Sequence, residues 1–226
     1  GSVSWKYDAG APIVSSPAVA DGAVYVGTRD NRLIAVNASS GKLLWMLKTG
    51  ADAQLAWGYE SGDFYSSSPA LDGNRIYWGG GDGYEYAVDR KKGAIVWKFK
   101  TDGRIRSTAA VSGGDVYFGS FDGRLYAVVA ATGKLKWMYE TEGAKLNSGD
   151  FGYDRRSIQS SPAIWNDTVL IGARDGFLYA VDRQAGKLRW RYNHEISWVN
   201  SSPAVANGKV YAASSDGEFA AQPVGG

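Results

Sequence analysis

Residues 15–50 read SSPAVADGAVYVGTRDNRLIAVNASSGKLLWMLKTG, and the same pattern returns four more times along the 226-residue chain. It recurs as SSPALDGNRIYWGGGDGYEYAVDRKKGAIVWKFKTDG from Ser67, as STAAVSGGDVYFGSFDGRLYAVVAATGKLKWMYETEG from Ser107 and as SSPAIWNDTVLIGARDGFLYAVDRQAGKLRWRYNHE from Ser160. A fifth copy, SSPAVANGKVYAASSDGEFA from Ser201, stops after three of its four segments. Each unit predicts four short strands: SSPAV-like, VYVG-like, LYAVD-like and KLLWMLK-like. Asp-Gly and Asp-Asn pairs between alternating apolar runs are hairpin signals, because a tight two-residue turn needs positive φ. Helical periodicity is absent. The 30 glycines are therefore turn chemistry, repeated.

Within each unit an Ala, a Gly six residues on and a Trp four further recur: Ala35, Gly41, Trp45; Ala87, Gly93, Trp97; Ala127, Gly133, Trp137; Ala180, Gly186, Trp190. A Trp on each outer strand, laid flat on the small Ala and Gly of a neighbouring sheet, would bury ~150–250 Å² at every contact between sheets. Four-stranded antiparallel sheets tied in this way predict an all-β, five-bladed β-propeller, a WD40-like architecture whose radial closure removes long exposed edges. The reading takes residues 1–226 as one domain, with blades starting near residues 15, 67, 107, 160 and 201. The segment Val3-Ser4-Trp5-Lys6-Tyr7 looks like a fourth strand without a repeat before it, and the fifth repeat lacks one. From Ala220 through Gly226 and on to Trp5 is 11 residues, against 10 from Ala35 to Trp45, so a strand over residues 3–8 is expected to complete the fifth blade. Trp5, Trp45, Trp97, Trp137 and Trp190 are then structural docking residues.

Composition removes several chemistries. With no Cys and one His, the chain has no disulfide, thiolate-bound zinc, iron–sulfur cluster, cysteine nucleophile or two-His metal motif. A net charge of +2 supplies no global field for nucleic acid, and no apolar run approaches a membrane span. The turn aspartates Asp30, Asp82, Asp122, Asp175 and Asp216 are ordinary turn chemistry rather than a metal set.

The tandem SSPAV, VYVG, DGxLYA and GKxxW elements, covering nearly the whole chain, resemble the quinoprotein-like (PQQ-like) β-propeller repeat. That repeat occurs in quinoprotein alcohol dehydrogenases, in the outer-membrane assembly lipoprotein of the β-barrel machinery and in extracytoplasmic parts of some bacterial sensor kinases. The resemblance implies a bacterial, periplasmic or secreted protein. Its catalytic members typically have eight blades, adjacent cysteines against the quinone and an acid-plus-amide set holding calcium; this chain has neither the blade count nor a cysteine. The expectation is thus a non-catalytic binding or scaffolding module, with no cofactor expected and PQQ unlikely.

A site is expected on the face carrying the Asp-Gly turns and the loops into each SSPAV strand, here called upper. Trp-to-Trp steps of 40, 52, 40 and 53 residues show two insertions on that face, residues 51–66 and 144–159. Loops longer than a scaffold needs are where function concentrates. The candidate ligand-binding set is Trp57, Tyr59 and Tyr65 from the first insertion, Phe151, Tyr153, Arg155, Arg156 and Gln159 from the second, and Arg29, Arg106, Arg174, Trp198 and Asn200 around them. Aromatic plates beside guanidiniums suit a protein segment, a glycan or a small anionic ligand, through stacking and bidentate hydrogen bonds. Two alternatives stay open: a polysaccharide-acting enzyme using paired carboxylates among Glu60, Asp63, Asp150 and Asp154, and quinone-type cofactor binding through the arginines. His194 is read as a solvated loop residue, Trp78 as packing between blades and Trp165 as capping a lower-face turn. The domain is expected to be monomeric, without nucleic-acid partners or a membrane span; Gly1-Ser2 resembles a cloning remnant, which leaves excision from a larger protein open.

Overall fold

The computed structural model describes residues 1–55, 63, 65–147, 150–151, 153–195 and 197–225. Among these residues nineteen strands form five antiparallel sheets, each built from consecutive strands of one repeat. Blade 1 is β1 (Ala18–Ala20), β2 (Ala23–Gly27), β3 (Arg32–Asn37) and β4 (Leu43–Lys48). Blade 2 is β5 (Ala70–Asp72), β6 (Arg75–Gly79), β7 (Tyr84–Asp89) and β8 (Ile95–Lys100). Blade 3 is β9 (Ala110–Ser112), β10 (Asp115–Gly119), β11 (Arg124–Val129) and β12 (Leu135–Glu140). Blade 4 is β13 (Ala163–Trp165), β14 (Thr168–Gly172), β15 (Phe177–Asp182) and β16 (Leu188–Asn193). Blade 5 is β17 (Ala204–Ala206), β18 (Lys209–Ala213) and β19 (Phe219–Pro223).

The register explains the Ala–Gly–Trp spacing. Ala35, Ala87, Ala127 and Ala180 lie directly across from Trp45, Trp97, Trp137 and Trp190 within the same blade, just before a bulge. The glycine belongs to the next blade. Gly93 sits at φ +66°, and a Cβ there would lie 2.6 Å from the Trp45 ring, so both the turn and the neighbour demand glycine. Each indole also donates to a carbonyl of that next blade: Trp45 to Arg90 at 3.0 Å, Trp97 to Ala130 and Trp137 to Arg183 at 2.8 Å, and Trp190 to Val224 at 2.9 Å. The small Ala thus makes room within the Trp's own sheet, and the sequence reading that put both small residues on the neighbour is corrected.

Four apolar clusters fill the four junctions between consecutive blades, with Ile76 and Trp78 at the first, Ile105 and Phe118 at the second, Ile158 and Ile171 at the third, and Val199 and Val210 at the fourth. Inner strands are joined by a relay of hydroxyls. Ser16 N–H donates to Ser68 Oγ, Ser68 to Thr108, Thr108 to Ser161 and Ser161 to Ser202, at 2.9–3.0 Å.

Blade 5 departs from the expectation: it has three strands, and residues 3–8 form no fourth one. Trp5 still docks on blade 1 as the other ring tryptophans dock on their next blade, donating to Ala38 O at 2.8 Å over Gly41, while Tyr7 and Ala9 pack on Ile34 and Val36. One cause is in β19. In the other blades the last residue of the third strand donates its N–H across the turn to the start of the fourth, Asn37 to Lys42, Asp89 to Ala94, Val129 to Lys134 and Asp182 to Lys187. Pro223 holds that position in blade 5 and has no N–H to give.

Candidate functional site

The turn aspartates fasten the upper face. Asp82, Asp122 and Asp175 each accept a tyrosine hydroxyl of their own blade (Tyr86, Tyr126, Tyr179; 2.6–2.7 Å) and a backbone N–H from the loop leaving the preceding blade (Gly50, Asp102, Gly143). Burial pushes all three tyrosines well above the usual phenol range, with the aspartate reinforcing the shift.

Onto this platform the first insertion is locked by a buried ion lattice. Asp63, 1% exposed, accepts Arg104 Nη1 at 2.6 Å and Arg106 Nη2 at 2.8 Å, and Asp52 accepts the same Arg106 nitrogen at 2.8 Å. Arg104 Nε reaches Ala53 O at 2.7 Å. Burial raises the Asp63 pKa, but the hydrogen bonds and charges of Arg106 and Arg104 outweigh it and hold the carboxyl below the usual range. Arg29 lies at the rim, donating to Tyr65 O at 3.1 Å with Asp63 4.0 Å away. Arg106 and Arg29 therefore serve the loop, and Tyr65 stands half-exposed beside them. Trp57 and Tyr59 lie outside the described residues.

The second insertion is held in the same style and adds an aromatic run. Buried Asp154 accepts Arg174 Nη1 at 3.0 Å, the Ser157 hydroxyl and the Arg156 N–H. Arg156 Nε donates to Asp122 O at 3.0 Å and Arg155 Nη2 to Asp175 O at 2.9 Å. Arg174 lies 4.3 Å from the Trp198 ring centre, a close cation–π stack. Trp198 meets Tyr153 at 5.9 Å, Tyr153 meets Phe151 at 6.3 Å, and Arg155 covers Phe151 at 5.5 Å. The Trp198 backbone is pinned to the β18–β19 turn by paired bonds with Ser215 at 2.9 and 3.1 Å. Tyr153, Ser197, Trp198 and Ser215 line an open depression of about 340 Å³.

Five of the sequence candidates, Phe151, Tyr153, Arg155, Arg174 and Trp198, thus come together. Gln159 and Asn200 stand just before the inner strands of blades 4 and 5; among the described residues the buried Oε1 and Nε2 of Gln159 and Oδ1 of Asn200 meet no hydrogen-bond partner. Sequence reasoning missed Ser197, Ser215 and the carboxylate Asp52, none of which carries a local motif. His194 is corrected: it is 1% exposed, with Nδ1 3.0 Å from Glu218 Oε2 and Tyr192 edge-on at 4.8 Å. Its backbone N–H, bonded to Gly176 O, draws the loop inward against blade 4. Trp78 is buried at the first junction and Trp165 is partly buried against the fourth.

The family described as outer membrane protein assembly factor BamB matches residues 1–58 and 49–225. The chain belongs to this PQQ-like propeller family. The crystal structure of BamB from Moraxella catarrhalis superimposes with a TM-score of 0.78 at 21% identity, covering 99% of this chain and 65% of that one. Quinohemoprotein alcohol dehydrogenases from Pseudomonas putida HK5 and Comamonas testosteroni give TM-scores of 0.76 and 0.74 at 18% and 17% identity, covering 98% and 95% of this chain and 42% of each of theirs. The chain thus spans less than two thirds of each of these proteins. No curated protein sequence matches it. At these identities the solved structures share the fold.

Within this BamB-family propeller the upper face does not fit a quinone with its calcium. A metal-bound quinone needs acid donors with free lone pairs, and the buried carboxylates of this face are engaged: Asp63 and Asp154 face guanidiniums, and Asp82, Asp122 and Asp175 accept tyrosine hydroxyls and backbone N–H groups. Asp150 is exposed and accepts the Asn147 side-chain N–H at 3.2 Å, while Glu60 lies outside the described residues. Among the described residues no helix is long and apolar enough to cross a membrane.

Proposed function

We propose that this BamB-family propeller is a binding scaffold that takes an extended protein segment across the upper face of blades 4 and 5. The observation that carries this reading is the Trp198 platform: an indole with Arg174 stacked on it, its backbone pinned to Ser215, and an open depression between it and Tyr153. A rigid aromatic held in advance loses little entropy on binding, which is why Trp and Tyr anchor interfaces. The arginines contribute by fixing the insertions. The carboxylate enzyme reading draws no support from Asp63, whose lowered pKa is the opposite of what a general acid needs. The family description also supports an extracytoplasmic setting.

Tryptophan fluorescence titration with a panel of extended amphipathic peptides tests the reading. Trp198→Ala is expected to weaken binding at least about tenfold while leaving the thermal midpoint of the propeller unchanged. Binding that persists in this variant, or that oligosaccharides compete away, would overturn it.

A further inference from the structure

Beside their docked tryptophans the blade junctions carry a recurring set of polar side chains, and one junction lacks it. Between blades 3 and 4, Asp115 accepts Lys136 Nζ at 2.6 Å, and Lys136 goes on to Gln184 Oε1 at 2.9 Å. Between blades 4 and 5, Arg189 donates to Thr168 Oγ1 at 3.1 Å. Blade 2 places Arg75 at the position of Asp115 and Thr168, with Asp89 3.8 Å away. Between blades 1 and 2 the positions of Asp115, Lys136 and Gln184 are held by Ala23, Leu44 and Lys91. A carboxylate and an ammonium are thereby replaced by apolar groups, and a cleft of about 190 Å³ stands beside them, floored by Ala23, Tyr25, Leu44 and Trp45.

The tyrosine of this cleft also differs from its counterparts. Tyr117 donates to Asp115 at 3.3 Å and Tyr77 to Ala130 O at 3.4 Å. Tyr25 is 3% exposed, and among the described residues its hydroxyl meets no hydrogen-bond partner. Burial raises its pKa, Arg90 draws it back and Asp21 adds to the rise, so both charges act on a phenol that stays protonated at neutral pH. The rim is cationic. Arg90 pairs through Nη2 with Asp21, whose side chain is 75% exposed, and Lys91 stands exposed with no ion pair among the described residues. Two positive charges thus face one carboxylate at the mouth of an apolar cleft, on the face opposite the upper one, where the β1–β2 and β7–β8 turns lie.

We propose that this cleft is a second binding site, for a small free monocarboxylate whose apolar body is a single aromatic ring. The ring lies against Trp45 and Leu44 over Ala23, and the carboxylate meets Arg90, Lys91 and the Tyr25 hydroxyl. A cavity of about 150 Å³ takes a benzene ring, so this one has room for a ring and one small polar group. Charge selects the sign of that group, because a carboxylate shared by a guanidinium, an ammonium and a phenol gains charge-assisted hydrogen bonds that a neutral amide does not. Asp21 competes for the same guanidinium and holds affinity down. The site is independent of the upper-face reading and shares no residue with it.

Titration of the chain with phenylacetate, followed by the Trp45 indole N–H resonance in NMR, is expected to saturate with a dissociation constant of about 1 mM or below. Phenylacetamide should bind at least about tenfold more weakly. Ala23→Asp, which installs the side chain that blade 3 holds at this position, should weaken phenylacetate at least about tenfold by filling the cleft and adding a negative charge. Tyr25→Phe should cost about three- to tenfold. Asp21→Asn should tighten binding by about two- to fivefold, and asparagine suits the φ of +45° at that turn, so the fold is kept. No saturable shift, equal affinity for the amide, or unchanged affinity in Asp21→Asn and Tyr25→Phe overturns the proposal. Tighter binding of glycylglycylphenylalanine than of phenylacetate would give the cleft to a chain end and overturns the assignment to a free acid. Should Ala23→Asp fail to fold, the Tyr25 and Asp21 variants decide the matter.

Discussion

Glu85 breaks the repeat at a place where the repeat is otherwise unanimous. The equivalent residues of blades 1, 3 and 4 are Leu33, Leu125 and Leu178, all fully buried, and Glu85 is buried as completely, with neither carboxylate oxygen hydrogen-bonded among the described residues. Burial drives its pKa well above the ordinary value. A group with a raised folded pKa contributes stability below its unfolded pKa, and that contribution is lost as pH rises through the folded value. Glu85 therefore favours the fold in acid and opposes it towards neutrality. Glu85→Leu is expected to stabilise the protein by about 1–3 kcal/mol at pH 7, the usual cost of an unpaired buried polar group in mutational data. Urea unfolding at pH 5 and pH 8 checks this: the gap between variant and wild type should widen with pH. An equal gap at both values would mean that the carboxyl has a partner.

At the scale of the element, the unit of stability is the Trp docked on its neighbour's glycine turn, and two glycines separate its parts. Gly93 has φ +66° and the Trp45 ring against it; Gly73 has φ +53° and nothing within 4 Å. Gly73→Ala should cost only the left-handed backbone penalty, about 1–2 kcal/mol, while Gly93→Ala should add about 1–3 kcal/mol of overpacking. Denaturant midpoints of the two variants measure the difference, and equal losses would reduce the docking to turn geometry alone. This contrast also shows what a sequence conveys. Strand order, turns and Trp positions were legible because each is encoded locally, by alternation of two and by glycine at fixed offsets. Closure of the last blade was not legible, since it turns on Pro223 lacking one N–H, which matters only once a neighbour is in place. The upper face divides likewise. Aromatic content marked Tyr153 and Trp198, but Arg104 and Arg106 find their carboxylate 41 and 43 residues away in Asp63, a pairing only the fold creates.

For the whole molecule, the apolar junctions run from blade to blade in sequence order, whereas the upper-face lattice ties the first insertion to two separate parts of the chain at once. Asp63 faces Arg29 of blade 1 and Arg104 and Arg106 from the connection between blades 2 and 3. Its folded pKa is lowered, so its contribution is complete above the unfolded carboxylate value and is lost as pH falls through the folded one, opposite in sign to Glu85. The two groups together predict a stability maximum on the acid side of neutrality. Asp63→Asn removes the carboxylate that two guanidiniums, buried at 1% and 5% exposure, share. Removing one partner of a buried ion network costs about 3–5 kcal/mol, and for a chain of this size each kcal/mol moves the thermal midpoint by roughly 2–4 °C. A melting temperature lowered by about 6–20 °C at pH 7, with the deficit shrinking in acid as wild-type Asp63 itself protonates, is the expected result. A deficit independent of pH would assign the loss to packing, and no deficit would detach the insertion from the stability of the ring.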